Sequence, residues 1–113
     1  MSYKIEFADV ADMEVQNILL RIMGRTPDYA GRWQDGLEKA VASLEDFPGR
    51  CAIVTDLSTP ERQVRQLLYG AYRLLFTLLD TDGDGDLDTV RLLHVRHGAQ
   101  GPLIQELPDD ADK

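Results

Sequence analysis

The chain of 113 residues holds one cysteine, two histidines, one tryptophan and 7% aromatic residues. A lone cysteine closes no internal disulfide, so an apolar core has to hold the fold, and the composition fits a reducing compartment. Cys51 itself reads as a small, partly buried apolar residue, because no histidine stands near it in sequence to make it a nucleophile. Uninterrupted apolar runs reach only a few residues, far below the roughly 20 that a membrane-crossing helix needs. The start Met-Ser-Tyr-Lys-Ile-Glu-Phe has neither the basic-then-apolar build of a secretory signal nor an Arg- and Ser-rich amphipathic leader. The chain is therefore expected in the cytoplasm, with no membrane partner. A Ser/His/Asp order, a Gly-rich phosphate loop and a Cys/His zinc spacing are also missing. Positive charge is scarce, with 12 Lys/Arg against 20 Asp/Glu and a net charge of −8. That balance repels phosphate backbones and argues against generic nucleic-acid binding.

What is present reads as one soluble domain: 43% apolar and 28% charged residues support a single core at this length. Tyr3-Lys4-Ile5-Glu6-Phe7 alternates with period two, as a half-buried strand does. Asp9 then reads as a helix N-cap, and Val10, Met13, Ile18, Leu19, Ile22 and Met23 approximate one face up to a terminator at Gly24. Thr26-Pro27-Asp28 starts a second helix, whose stripe of Ala30, Trp33, Leu37, Ala40, Val41 and Leu44 runs towards Pro48-Gly49. Two amphipathic helices on a short turn predict an antiparallel hairpin packed on a sheet, with Trp33 in the core. Residues 48–63 read mostly as loop, with Ala52-Ile53-Val54 pairing briefly at a sheet edge. Val64–Leu68, a turn at Tyr69-Gly70 and Ala71–Leu79 form a hairpin, and a last strand runs from Thr89 to about His97. The expected fold is α+β, in the order β-α-α-β-β-β, with a small, mainly antiparallel sheet. Residues 102–113 read as a short, frayed acidic tail after the breaker Gly101-Pro102.

Four segments together carry a family likeness: Ala30-Gly-Arg-Trp33 leading to Leu44-Glu-Asp-Phe-Pro48, the hairpin Val64–Phe76, and Leu93-His-Val-Arg-His-Gly98. In this element order the chain resembles the RelE/ParE toxin superfamily over roughly residues 3–101. The resemblance implies a RelE/ParE-like fold for residues 1–101 and a role as the toxin of a type II toxin–antitoxin operon. It further implies a cognate antitoxin, whose segment would lie across the sheet or in the groove beside the helical hairpin. The ParE branch poisons DNA gyrase by protein contact, whereas the RelE branch cleaves messenger RNA on the ribosome. A member that binds its antitoxin without being toxic is a third option.

RNA cleavage by a 2′-hydroxyl needs a base, an acid and cations around the phosphate. The positions that match the RelE pattern offer Arg65, Arg73 and His97 as the catalytic candidates, while the lysine-rich stretch before Arg65 is missing. Period two places Arg65 with Leu67 and Tyr69, Arg73 with Leu75 and Thr77, and His97 with Val95 and Leu93. His94 falls on the face opposite His97 and reads as a partly buried, hydrogen-bonded residue. Both arginines can as easily pair with helix or tail carboxylates as bind phosphate. The ParE-like reading therefore leads, with no enzyme activity required.

The acidity gathers late in the chain. Residues 1–79 carry 9 Lys/Arg and 11 Asp/Glu, and residues 80–113 carry 3 and 9. Asp80, Asp82, Asp84, Asp86 and Asp88 follow the spacing of a calcium loop, with Gly85 at its sharp turn, but Arg91 stands where a bidentate glutamate is needed. The flanks are strands, so this is no EF-hand. A hairpin-borne calcium site and a solvated Asp/Gly turn both remain open, and no motif requires a cofactor.

Overall fold

The computed structural model describes residues 2–98, so the expected tail and its Gly101-Pro102 breaker lie outside the described residues. Strand β1 (Lys4–Phe7) leads into helices α1 (Asp9–Arg25) and α2 (Pro27–Ala42). Strands β2 (Ala52–Ile53), β3 (Arg65–Tyr69), β4 (Tyr72–Leu79) and β5 (Thr89–His97) follow, with short 3-10 turns between α2 and β3. They build one sheet in the order β1-β5-β4-β3-β2. β1 runs parallel to β5, and every other pairing is antiparallel. The α+β expectation holds, and β2 is the brief edge pairing read at Ala52–Val54.

The core lies between the helical hairpin and one sheet face. From α1 it takes Ala11, Val15, Ile18 and Leu19; from α2 and the turn after it, Trp33, Leu37, Val41 and Leu44; from the sheet, Leu74, Phe76, Val90, Leu92 and Val95. The α2 stripe is as expected, and Trp33 is only 3% exposed. The α1 stripe is as expected only at Ile18, Leu19 and Ile22. Met13 and Met23 are 63% and 53% exposed, and Val10 is exposed too, because the helix turns Ala11 and Val15 inward instead. On the other sheet face Val64, Leu75 and Leu93 form a second small cluster under Val54 and Leu57.

Three local expectations are corrected. Asp9 is not the cap of α1: Ala8 is, pinned by its N–H to Leu92 O at 2.8 Å, and Asp9 and Asp12 instead sit in the first turn against the helix dipole. α1 does not stop at Gly24 but runs to Arg25, where Pro27 forces the residue before it out of helical geometry. Thr26 is accordingly non-helical, with φ −138° and ψ 74°, and Pro27 opens α2 at its first position. The β3–β4 turn is Gly70-Ala71, not Tyr69-Gly70: Tyr69 pairs with Tyr72, and Gly70 supplies the positive φ of 57° that its first position requires.

Candidate functional site

The structure separates the three residues matched to the RelE pattern. Arg65 lies on the helical face and spends its guanidinium on structure, with Nη1 donating to Cys51 O at 2.7 Å and to Gly49 O at 3.1 Å. It thereby ties β3 to the chain entering β2. Arg73 lies on the opposite face with Leu75 and Thr77, its Nε donating to Gln66 Oε1 at 3.0 Å. His97 ends β5 on the helical face, its ring edge-on to Tyr72 at 5.4 Å. Arg65 pairs with Phe76 and Tyr69 with Tyr72, so four residues, roughly 13 Å of strand, separate Arg65 from the His97 end of the sheet. These three residues form no common site.

The expected grouping of His97 with both Val95 and Leu93 is corrected by a bulge. Leu75 pairs with His94 but Phe76 with Leu92, which leaves Leu93 as the extra residue of β5. Alternation restarts there, so Leu93 joins the far-face cluster while Val95 enters the main core. His94 is more deeply buried than expected, at 1% exposed, and is hydrogen-bonded as expected: Nδ1 lies 3.0 Å from Glu14 Oε1. The same oxygen accepts the Val95 N–H at 2.9 Å, and Arg96 Nε lies 3.9 Å from Oε2. β1 pairs with β5 only as far as Leu92, and beyond that point Glu14 of α1 occupies the open strand edge.

A cleft of about 480 Å³ opens at the tip of the helical hairpin, beside the β3–β4 turn and the end of β5. The Thr26-Pro27 break sets its roof by turning α2 back on α1. Trp33, Tyr69 and Tyr72 make its floor, with ring centroids 5.9 Å apart for Trp33–Tyr69 and 5.3 Å for Trp33–Tyr72. The Tyr69 hydroxyl donates to Trp33 O at 2.7 Å, and burial, reinforced by Tyr29 and Asp35, raises its pKa and keeps it neutral. A Cβ on Gly36 would meet that hydroxyl at 2.1 Å, so glycine is what lets β3 approach α2 this closely. Arg21, Arg25, Tyr29 and His97 stand at the rim. The cleft is absent from the expectations above, and its signals in the sequence are weak ones: arginines four apart at a helix end, and tyrosines flanking a two-residue turn.

The acidic loop sits at the other end of the sheet and folds on its own hydrogen bonds. Asp80 accepts the N–H groups of Gly83 and Gly85, both at 2.8 Å, and Asp84 that of Asp86 at 2.9 Å. Asp88 accepts from the Thr81 hydroxyl at 2.6 Å, the Thr89 hydroxyl, and the N–H groups of Thr81 and Asp82. The hydroxyls, and after them the backbone donors, lower its pKa to about 2. Carboxylate oxygens of Asp80, Asp84 and Asp88 lie within 4.8 Å of one another, whereas Asp82 and Asp86 stay outside that group.

Fold and site together define a small α+β protein with a helical hairpin over one face of a five-stranded sheet and an open, aromatic and basic cleft at the hairpin tip. A model of the ParE toxin of the parDE type II toxin–antitoxin system matches residues 5–102, and the chain belongs to that family. Among solved structures it is similar to a toxin–antitoxin complex, RelBE2 from Mycobacterium tuberculosis, at 22% identity and a TM-score of 0.46. That likeness covers 86% of this chain and 99% of the other. No curated protein matches the sequence significantly. Among the described residues no helix is long and apolar enough to cross a membrane.

Proposed function

We propose that the chain is a cytoplasmic ParE-like toxin that acts by binding a protein target, DNA gyrase, and is neutralised by a cognate antitoxin. One observation carries the choice against RNA cleavage: Arg65, Arg73 and His97 lie on different faces or at different ends of the sheet. Acid–base chemistry on a phosphate needs its groups within hydrogen-bond reach of one another through the substrate. Arg65 is also held by two carbonyls, so recruiting it would break both hydrogen bonds, one of them to the part-buried Cys51 O. The net charge of −8 adds repulsion from ribosomal RNA.

The test is expression of the chain alone and together with the neighbouring reading frame, with transcripts mapped after induction. The expected result is growth arrest with intact transcripts, relieved by the neighbouring gene product. Translation-dependent cleavage of transcripts that disappears in Arg73→Ala would assign the RelE-like activity instead. Normal growth of the native host would leave only antitoxin binding.

A further inference from the structure

The net charge of −8 conceals a polar molecule. Loop 80–88, with five aspartates, caps one end of the β4–β5 pair; the hairpin tip, the Gly70-Ala71 turn and His97 cap the other. The eight residues of β4 hold these ends roughly 26 Å apart. At the second end Arg21 and Arg25, four apart on α1, both reach the cleft rim. Among the described residues neither takes part in an ion pair, although 16 carboxylate side chains lie among those residues. Guanidinium forks beside an apolar floor are what a carboxylate-bearing, partly apolar ligand requires.

From this juxtaposition we infer that the cleft at the hairpin tip is a docking site for an acidic peptide segment of a partner protein, with an apolar side chain on the Trp33, Tyr69 and Tyr72 floor and carboxylates on Arg21 and Arg25. The floor argues for a peptide over a nucleobase. Its rings meet at 54° and 69°, and Tyr72 meets His97 at 82°, so no two parallel ring faces form a slot for a planar base. An irregular aliphatic side chain fills tilted rings well. A short peptide carries few charges past the acidic remainder of the molecule, whereas a polynucleotide meets it along its length. The inference rests on the proposed function only for the source of the segment, the antitoxin; the chemistry of the cleft stands without it.

The test is a titration of the isotope-labelled full chain, followed by amide NMR shifts, with a 14-residue Leu/Glu peptide of net charge −4 and its Leu/Gln counterpart. The expected result is shifts centred on Thr26, Gly70, Ala71 and His97, with affinity that falls with salt. Arg21→Gln/Arg25→Gln, which changes two exposed side chains, should keep the folded spectrum and bind at least tenfold more weakly. Equal affinity for the Leu/Gln peptide, or shifts confined to residues 80–88, would overturn the site. So would a 12-nucleotide single strand that binds the cleft where the acidic peptide does not. A chain lacking residues 102–113 that binds the peptide when the full chain does not would give the cleft to the chain's own tail and overturn the partner. A chain that arrests growth yet ignores the acidic peptide sinks the cleft and leaves the proposed function standing.

Discussion

Gly36 and Tyr69 face each other across the seam between α2 and the sheet, and their closeness fixes how deep the helix can settle. A methyl group on Gly36 would overlap the Tyr69 hydroxyl, with the ring carbon behind it at 3.0 Å. Gly36→Ala should destabilise the chain by about 1–3 kcal/mol, as overpacking does. Adding Tyr69→Phe should recover part of that loss, since the hydroxyl is the nearest obstacle, and denaturant melts of the four-member cycle would measure the coupling. Phe47 is a second residue under tension. It is 76% exposed and holds φ 60°, a region that non-glycine residues seldom occupy. Arg50 keeps it there by donating from Nη1 to the carbonyls of Ser43, Asp46 and Phe47. Phe47→Asn should therefore stabilise by about 0.5–1 kcal/mol, as asparagine tolerates that conformation; an unchanged or lower melting point would contradict the strain. Buried residues were legible where one strong stripe existed, as for Trp33, Leu37 and Val41. Met13 and Met23 misled because α1 is apolar on more than one side, and apolar character alone does not say which side faces the sheet.

The elements show why periodicity succeeds until the backbone departs from it. Every strand was found, yet a single bulge at Leu93 reversed the grouping of β5, and an extra residue in a ladder leaves no mark in an apolar run. Similarly, α1 passes through Gly24 because the constraint that ends it comes from Pro27, three residues on. The acidic loop is the element most exposed to solution conditions. Asp88 has its pKa lowered from 3.8 to about 2, so its contribution is complete above its ordinary pKa and is lost as pH falls through about 2. The amide signals of Thr81 and Asp82 should keep their folded positions at pH 4 and move with a midpoint near pH 2; a midpoint near 4 would mean the hydrogen bonds are absent. Asp88→Asn should abolish that step. Since Asp80, Asp84 and Asp88 already accept N–H groups, the loop is expected to hold its shape without an ion. The melting temperature should then be equal in millimolar calcium and in excess chelator, and a rise with calcium but not magnesium would make these three aspartates metal ligands.

At the scale of the whole molecule, the order of elements and the family were legible because hairpin, turn and last strand each carry local signals in one consistent order. The cleft was not, because Arg21 and Arg25, Trp33, and the tyrosines of β3 and β4 come from three separate stretches that only tertiary packing joins. The same packing sends Arg65, Arg73 and His97 apart, although the resemblance to the RelE branch implied a shared site. The resulting protein has its chemistry at the surfaces of two opposite ends and is suited to contact with other macromolecules. The most direct measurement is DNA supercoiling by purified gyrase as the chain is titrated in. The account predicts inhibition that saturates with the toxin-to-gyrase ratio and is relieved by the neighbouring gene product. Undiminished supercoiling at a large excess of folded chain, with growth still arrested in cells, would contradict it.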